Sequence, residues 1–394
     1  MNLPRMSPER EKKLRSLAEL MNTRHRIPFP INKPLLACFD VALTEEENDF
    51  LLCMETKTHT YHQAAALSGR PEDRFRPLFD ELVKKGFIWP QGPAGSEGYS
   101  LAGIMVGWFE IYLSSGDESP ERQEFARRVD LLFKSWGKTN FFPLRNLTNY
   151  WFQRNSKPWI SVVSPKPVEQ TARASTIAVD RTLQPPAMRI YPARSVHDLI
   201  DKYGAQGKIA LVHCFCRQYH KMVQEPCRFA LPAESCIVIG DTSRYAINYG
   251  IGRPISKDEA MALVRGLQEK GAVHQVFHHG EDLDQPELGI CNCCWDCCGV
   301  LGSYNRGIVP LHLKSFFLAQ LADSSRCNAC NVCVDHCPVQ AISLVEEKAR
   351  IDGPKCIGCG QCELQCPEDA ISLVPSERTV LLPLQKRSDA RISW

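Results

Sequence analysis

The stretch ICNCCWDCC puts Cys291, Cys293, Cys294, Cys297 and Cys298 into eight consecutive positions. No core and no set of disulfides calls for thiols at that density, whereas soft metal ions do. Cys291, Cys294 and Cys297 alone spell C-x2-C-x2-C, and two adjacent cysteines rarely reach one metal together. A fourth ligand must therefore come from elsewhere. Upstream, HCFCRQYHKMVQEPCRFALPAESC offers Cys214, Cys216, Cys227 and Cys236. Cys214 or Cys216 is the preferred donor, because KIALVHCFC reads as a strand whose rigid end carries both thiols on alternate positions. These central thiols suit one cluster with spares, two clusters, zinc, or a redox-active dithiol.

A second concentration follows. CNACNVCVDHCPVQAISLV begins at Cys327 and CIGCGQCELQCPEDAISLV at Cys356, so one pattern, C-x2-C-x2-C-x3-C-P, occurs twice. Three closely spaced thiolates wrap one corner of a cubane, and the proline turns the chain so that the fourth thiolate reaches across. The repeat resembles a bacterial-type ferredoxin with two [4Fe–4S] clusters. That resemblance implies that Cys327, Cys330, Cys333 and Cys366 hold one cubane, and that Cys356, Cys359, Cys362 and Cys337 hold the other. Asn328 and Asn331 stand where the second copy has Ile357 and Gly360, so the two clusters should differ in polarity of surroundings and in potential. Beside this repeat, the spacing of Cys291, Cys294 and Cys297 favours at least one further iron–sulfur centre in the middle of the chain, with zinc as its rival.

The middle region resembles a group of iron–sulfur proteins of anaerobes in which a C-x-C-R segment and a CNCC segment precede a two-cluster ferredoxin. The likeness rests on Cys214–Arg217, on GRPISKDEAMALVRGLQEKGAVHQV and on Ile290–Cys298. It implies electron transfer and an anaerobic setting but no substrate. The CCG at Cys297–Gly299 is also similar, over a much shorter span, to cysteine-rich modules of heterodisulfide reductase subunits.

Elements must hold these thiols in place. MRIYPA reads as a strand, RSVHDLIDKYG as a helix, and Ser256 with Glu259 as the start of another helix ending near Gly271. VHQVFHHG reads as a strand or loop with solvated imidazoles at His274, His278 and His279. Before them, residues 43–101 give three helices and a Gly-rich hairpin, an order that resembles a winged-helix domain. Its third helix balances Glu72, Asp73, Asp80 and Glu81 against Arg74, Arg76, Lys84 and Lys85, which suits packing or protein docking better than phosphate binding. RQEFARRVDLLFKSWG is helical, SVVSPKPVEQTARAS reads as a linker, and the aromatics of NFFPLRNLTNYWF suit a core or partner surface. Cys38 and Cys53 read as small buried hydrophobes.

The expectation is an α+β multidomain chain. It comprises an amino-terminal helical arm (1–35), a winged-helix-like domain (36–115), a helical connector and linker (116–175), a cysteine-rich α/β domain (176–310), and a ferredoxin domain with a tail (311–394). The composition agrees with a metalloprotein. There are 19 cysteines, and 47 basic against 45 acidic residues leave +2, so bulk charge does not point to nucleic acid. The amino terminus lacks the apolar core of a secretory signal, and LAGIMVGWFEIYL is too short to span a membrane. No P-loop, flavin or dinucleotide motif is recognisable; Gly250–Gly252 lacks the third glycine of the fingerprint. Together these features point to a cytoplasmic electron-transfer protein or oxidoreductase subunit with protein redox partners. A metal-responsive regulator, or a reductase acting at the central cysteines, is the alternative.

Overall fold

The computed structural model describes residues 6–25, 28–92, 95–138, 140, 143–165, 195–279 and 282–392. The amino-terminal part is helical: α1 (Pro8–Asn22), α2 (Lys33–Ala42), α3 (Glu45–Met54), α4 (Tyr61–Ser68) and α5 (Glu72–Lys84). The hairpin β1 (Ile88–Gln91) and β2 (Gly98–Leu101) follows, then α6 (Phe109–Ser114), α7 (Pro120–Gly137) and α8 (Leu144–Asn155). Thr44 and Thr60 open α3 and α4 with reciprocal bonds to Glu47 and Gln63, which satisfies donors that the first helical turn leaves free. Around fully buried Trp108 gather Phe39 and Phe87, with ring centroids 4.4 and 4.6 Å away. The expected three helices and hairpin are therefore present over residues 45–101.

The remaining elements are β3 (Ile160–Val162), α9 (Val196–Gly204), β4 (Ile209–His213), α10 (Phe215–Met222), β5 (Glu234–Ile239), α11 (Asp241–Asn248), β6 (Gly252–Pro254), α12 (Lys257–Glu269), β7 (Val273–His278) and β8 (Glu287–Cys293). After them come α13 (Leu301–Asn305), β9 (Leu311–Leu321), α14 (Val332–His336), β10 (Ile342–Val345), β11 (Lys348–Ile351), α15 (Gln361–Leu364) and β12 (Ile371–Leu382). One eight-stranded sheet runs in the order β12-β9-β3-β7-β8-β5-β4-β6. Among the described strands of this sheet, β3 and β9 pair in parallel and the other neighbours are antiparallel.

This sheet runs across the expected domain limits. β3 lies in the stretch read as a connector, and it joins β7 to β9. β9 and β12, read as ferredoxin, are strands of the same sheet as β4, β5 and β8. The two cysteine repeats thus sit between two strands of a shared sheet. The MRIYPA strand and most of the linker lie outside the described residues.

Each face of the sheet has its own partner. Ile237 and Ile239 of β5, Ile209 and Leu211 of β4 and Ile290 of β8 pack with Leu199 and Ile200 of α9 and Val264 of α12. The alternate residues, Val212, Cys236 and Val238, pack with the core of the amino-terminal helices, as the two-residue period of a strand requires. Phe109 meets Phe215 at 6.0 Å, and Phe133 stacks on Tyr219 at 5.9 Å. The amino-terminal domain therefore covers the face of the sheet that carries thiols. Cys38 is buried as expected, but Cys53 is exposed, because it falls on the outer side of α3 while Leu51 and Met54 face the core.

Candidate metal centres

The sheet and two turns sort the central cysteines. Ile237 pairs with Ile290 across β5 and β8, and the next step of that register sets Cys236 opposite Cys291. Two residues along β8, Cys293 points to the same face. Cys214 is the N-cap residue of α10 and Cys216 lies in its first turn, rather than both leaving a strand. Cys298 comes from the turn before α13. Neighbouring thiols interact in a closed circuit: Cys214 with Cys216 and Cys236, Cys298 with Cys216 and Cys293, and Cys291 with Cys236 and Cys293.

Proton affinities alternate around this ring. Contact with Cys216 and then Cys236 holds Cys214 well below the ordinary thiol range. Contact with Cys216 and Cys293 does the same to Cys298, and contact with Cys236 and Cys293 brings Cys291 down to about 6. The three in between, Cys216, Cys293 and Cys236, are raised by the same neighbours and by burial. Each thiolate is supported by protons on the two beside it. Six thiolates together would require cations in place of those protons.

The other three central thiols form a separate group. Cys227 Sγ lies 3.6 Å from Cys294 Sγ, and Cys294 Sγ lies 3.1 Å from Cys297 Sγ. All three sulfurs are within 4.8 Å of one another. The C-x2-C-x2-C triple expected from Cys291, Cys294 and Cys297 is thus not one unit. Strand alternation sends Cys291 into the ring, and the turn after β8 brings Cys294 and Cys297 to Cys227, although both also border the cavity beside the ring.

Arg217 lies between the two groups. Its guanidinium donates to Pro232 O (3.2 Å), Ser235 Oγ and the carbonyl of Asn292. Burial opposes its charge, yet the thiols of Cys214, Cys297, Cys236 and Cys294 outweigh that cost and raise its pKa. Sequence reasoning met Arg217 only as part of a resemblance; a basic residue one position after C-x-C was the signal for this role. Gly299 is a second such residue. Its N–H donates to Cys216 Sγ at 3.0 Å, and a Cβ there would lie 3.3 Å from that sulfur. Val300 and Leu301 N–H donate to Cys298 Sγ at 3.3 and 3.4 Å.

All six ring cysteines line a cavity of about 290 Å³ whose other walls include Phe29, Trp89, Met105, Trp136 and Trp159. The histidines of VHQVFHHG stay out of it. His274 bonds Asn292 Oδ1 at 2.6 Å and Gln268 at 3.3 Å; His278 bonds the Gln285 carbonyl at 2.9 Å. Both are buried rather than solvated, because β7 is an interior strand of the sheet.

The carboxy-terminal thiols gather in two fours. Cys333 faces Cys330, Cys366 and Cys327, and Cys362 faces Cys359, Cys356 and Cys337. The fourth cysteine of each run therefore lies with the other triple. Repeat symmetry extends to the backbone: Ala341 N–H donates to Cys337 Sγ at 3.1 Å and Ala370 N–H to Cys366 Sγ at 3.3 Å. Surroundings differ as expected. Of the first four, Cys330 is exposed, Cys327 and Cys366 are half-buried and Cys333 is buried, whereas Cys337, Cys356, Cys359 and Cys362 are all buried.

The buried four adjoin the central thiols. Cys293 and Cys298 share one apolar cluster with Cys337, Cys356, Cys359 and Cys362, and Cys333 of the other four belongs to it too. Gln361 of α15 donates to Ala272 O at 2.6 Å, and Asn305 of α13 donates to Pro338 O at 2.9 Å. Arg391 lies 3.7 Å over the Trp295 ring while bonding Cys337 O at 2.7 Å.

Among the described residues no helix is long and apolar enough to cross a membrane. No curated protein and no solved structure matches the chain. Residues 319–367 match the 4Fe–4S dicluster domain, which supports iron–sulfur clusters in the carboxy-terminal part and identifies an iron–sulfur protein.

Proposed function

We propose that the protein is an electron-transfer component that relays low-potential electrons between protein partners of an anaerobic oxidoreductase system. The observation that carries this reading is the graded burial of adjoining thiol sets: a four whose Cys330 reaches the surface, a four that is buried throughout, then the largely buried central cysteines. Cys327, Cys330, Cys333 and Cys366 would hold the cubane at which a partner docks. Cys337, Cys356, Cys359 and Cys362 would hold the inner cubane, and the central cysteines at least one further iron–sulfur centre. Bound clusters supply single-electron chemistry. The chain contributes N–H donors at Ala341 and Ala370, burial that excludes water, and the placement of one set beside the next.

The amino-terminal domain, winged-helix-like in element order, acts here as a cover. Tyr245 OH of α11 donates to Val83 O at the end of α5 (2.6 Å), and Trp89 of the hairpin packs against Tyr245 at 6.4 Å. Lys85, one of the four basic residues counted on the third helix, is buried against Glu47 at 2.8 Å and is lost to any phosphate. The apolar cavity beside the six-thiol ring favours a second reading, a reductase with chemistry at the central centre.

Anaerobic titration of the full chain, followed by low-temperature EPR, tests the relay. Two [4Fe–4S] signals that reduce at low potential are expected, with the exposed one exchanging first with a protein acceptor. Zinc at the eight carboxy-terminal thiols, or clusters that do not respond to potential, would overturn it.

A further inference from the structure

We infer that the nine central cysteines form two metal centres of different nuclearity: a single-ion site at Cys227, Cys294 and Cys297, and a polynuclear iron–sulfur centre in the ring of Cys214, Cys216, Cys236, Cys291, Cys293 and Cys298. The inference deepens the iron–sulfur reading of the central region and rests on it. Spacing between sulfurs separates the two. A tetrahedral ion with metal–sulfur bonds of about 2.3 Å places its thiolates about 3.8 Å apart. Cys227, Cys294 and Cys297 fit that scale, with separations of 3.6 and 3.1 Å and all three within 4.8 Å. The terminal thiolates of a cubane belong to separate irons and stand further from one another. Asp296 does not complete the trio: its carboxylate faces Arg228 and Arg306 at 3.6 Å each and accepts from Arg228 N at 3.1 Å. Three protein thiolates thus leave a fourth position for water or an exogenous ligand, on an ion such as zinc or iron(II).

The ring has the opposite geometry. Its neighbours interact pairwise around the circuit, yet no three of its sulfurs lie mutually within 4.8 Å. It is an open circuit, too wide for one ion. Six thiols also exceed the four terminal positions of a cubane. Several irons that share sulfide or thiolate bridges satisfy both facts. There is room for them, since every ring member lines the same cavity of about 290 Å³. The cavity's walls are mostly apolar, and Arg217 between the two groups offsets their negative charge.

The test uses the full chain purified without oxygen, with zinc, iron and acid-labile sulfide counted per chain. Cys227→Ser with Cys294→Ser is expected to remove about one metal atom and no sulfide, as a single-ion site has none. Cys236→Ser with Cys291→Ser is expected to remove several irons together with their sulfide. The carboxy-terminal cubane EPR signals serve as a control in both and remain. Should a variant misfold, the unmutated chain still decides. Cobalt(II) supplied during growth would show the visible absorption of a tetrahedral thiolate site only if the trio binds one ion. Equal losses of iron and sulfide from both variants, unchanged metal in both, or no cobalt absorption would overturn the two-centre assignment. Loss of the cubane signals from the unmutated chain would instead overturn the relay itself.

Discussion

Two buried side chains set the electrostatics of the central region. Arg217 is the cation that faces thiols of both groups. Arg217→Leu leaves those sulfurs without it, and breaking such a buried arrangement costs about 3–5 kcal/mol. The expected outcome is reduced central metal with the carboxy-terminal cubane signals intact, read by metal analysis and EPR; Arg217→Lys recovers part of the loss because it restores charge without the fork. His274 tests burial directly. Burial holds its pKa down to about 4 from 6.5, against the raising effect of the Asn292 bond. The unfolded chain therefore binds the proton first as pH falls. The stabilising effect is complete above about pH 6.5 and is lost towards pH 4, a difference of up to about 3 kcal/mol. Unfolding midpoints measured from pH 7 to 4.5 should fall less steeply for His274→Gln than for the unmutated chain.

At the scale of elements, the two cysteine repeats show how one pattern adapts to two environments. Ala329 and Gly358 occupy equivalent positions, both at positive φ (57° and 67°). Around the exposed four, a methyl group at that position is tolerated. Around the buried four, a Cβ at Gly358 would meet Phe317 O of β9 at 2.2 Å and Ser315 Oγ at 2.6 Å. Gly358→Ala must therefore push the inner loop off β9, at a cost of at least about 1–3 kcal/mol. Loss of one cubane signal out of two is expected, while Ala329→Gly keeps both. EPR of the reduced chains distinguishes the outcomes.

Over the whole molecule, the amino-terminal helices and the carboxy-terminal loops meet on one sheet. Two of the four basic residues counted on the third helix are paired: Arg76 with Glu72 and Asp80 at 3.5 and 3.9 Å, and Lys85 with Glu47. A fluorescence-anisotropy titration with duplex DNA should give weak, non-specific retention. Sub-micromolar binding with a steep salt slope would mean several neutralised phosphates and would restore the regulator reading. Under the proposed relay, the partner-facing side is expected around exposed Cys330.

The cysteine repeat was legible from the sequence because its chemistry is local. Ligands a few residues apart must converge on one cluster, and the pattern even named which thiol crosses over. The helices of the amino-terminal part were equally readable, since caps such as Thr44 and Thr60 act within one turn. Partition of the central thiols was not. Cys291 and Cys294 are three residues apart but belong to different groups. The end of β8 and the turn after it decide the side each faces, while the register between β5 and β8 brings Cys236 to Cys291. Nor did spacing reveal that β9 and β12 share a sheet with β4 and β5, because strand pairing over long separations leaves no local mark in the chain. Sequence marked the repeat, whose match to a dicluster domain supports iron–sulfur clusters there; only tertiary structure decided which thiols stand together in the middle.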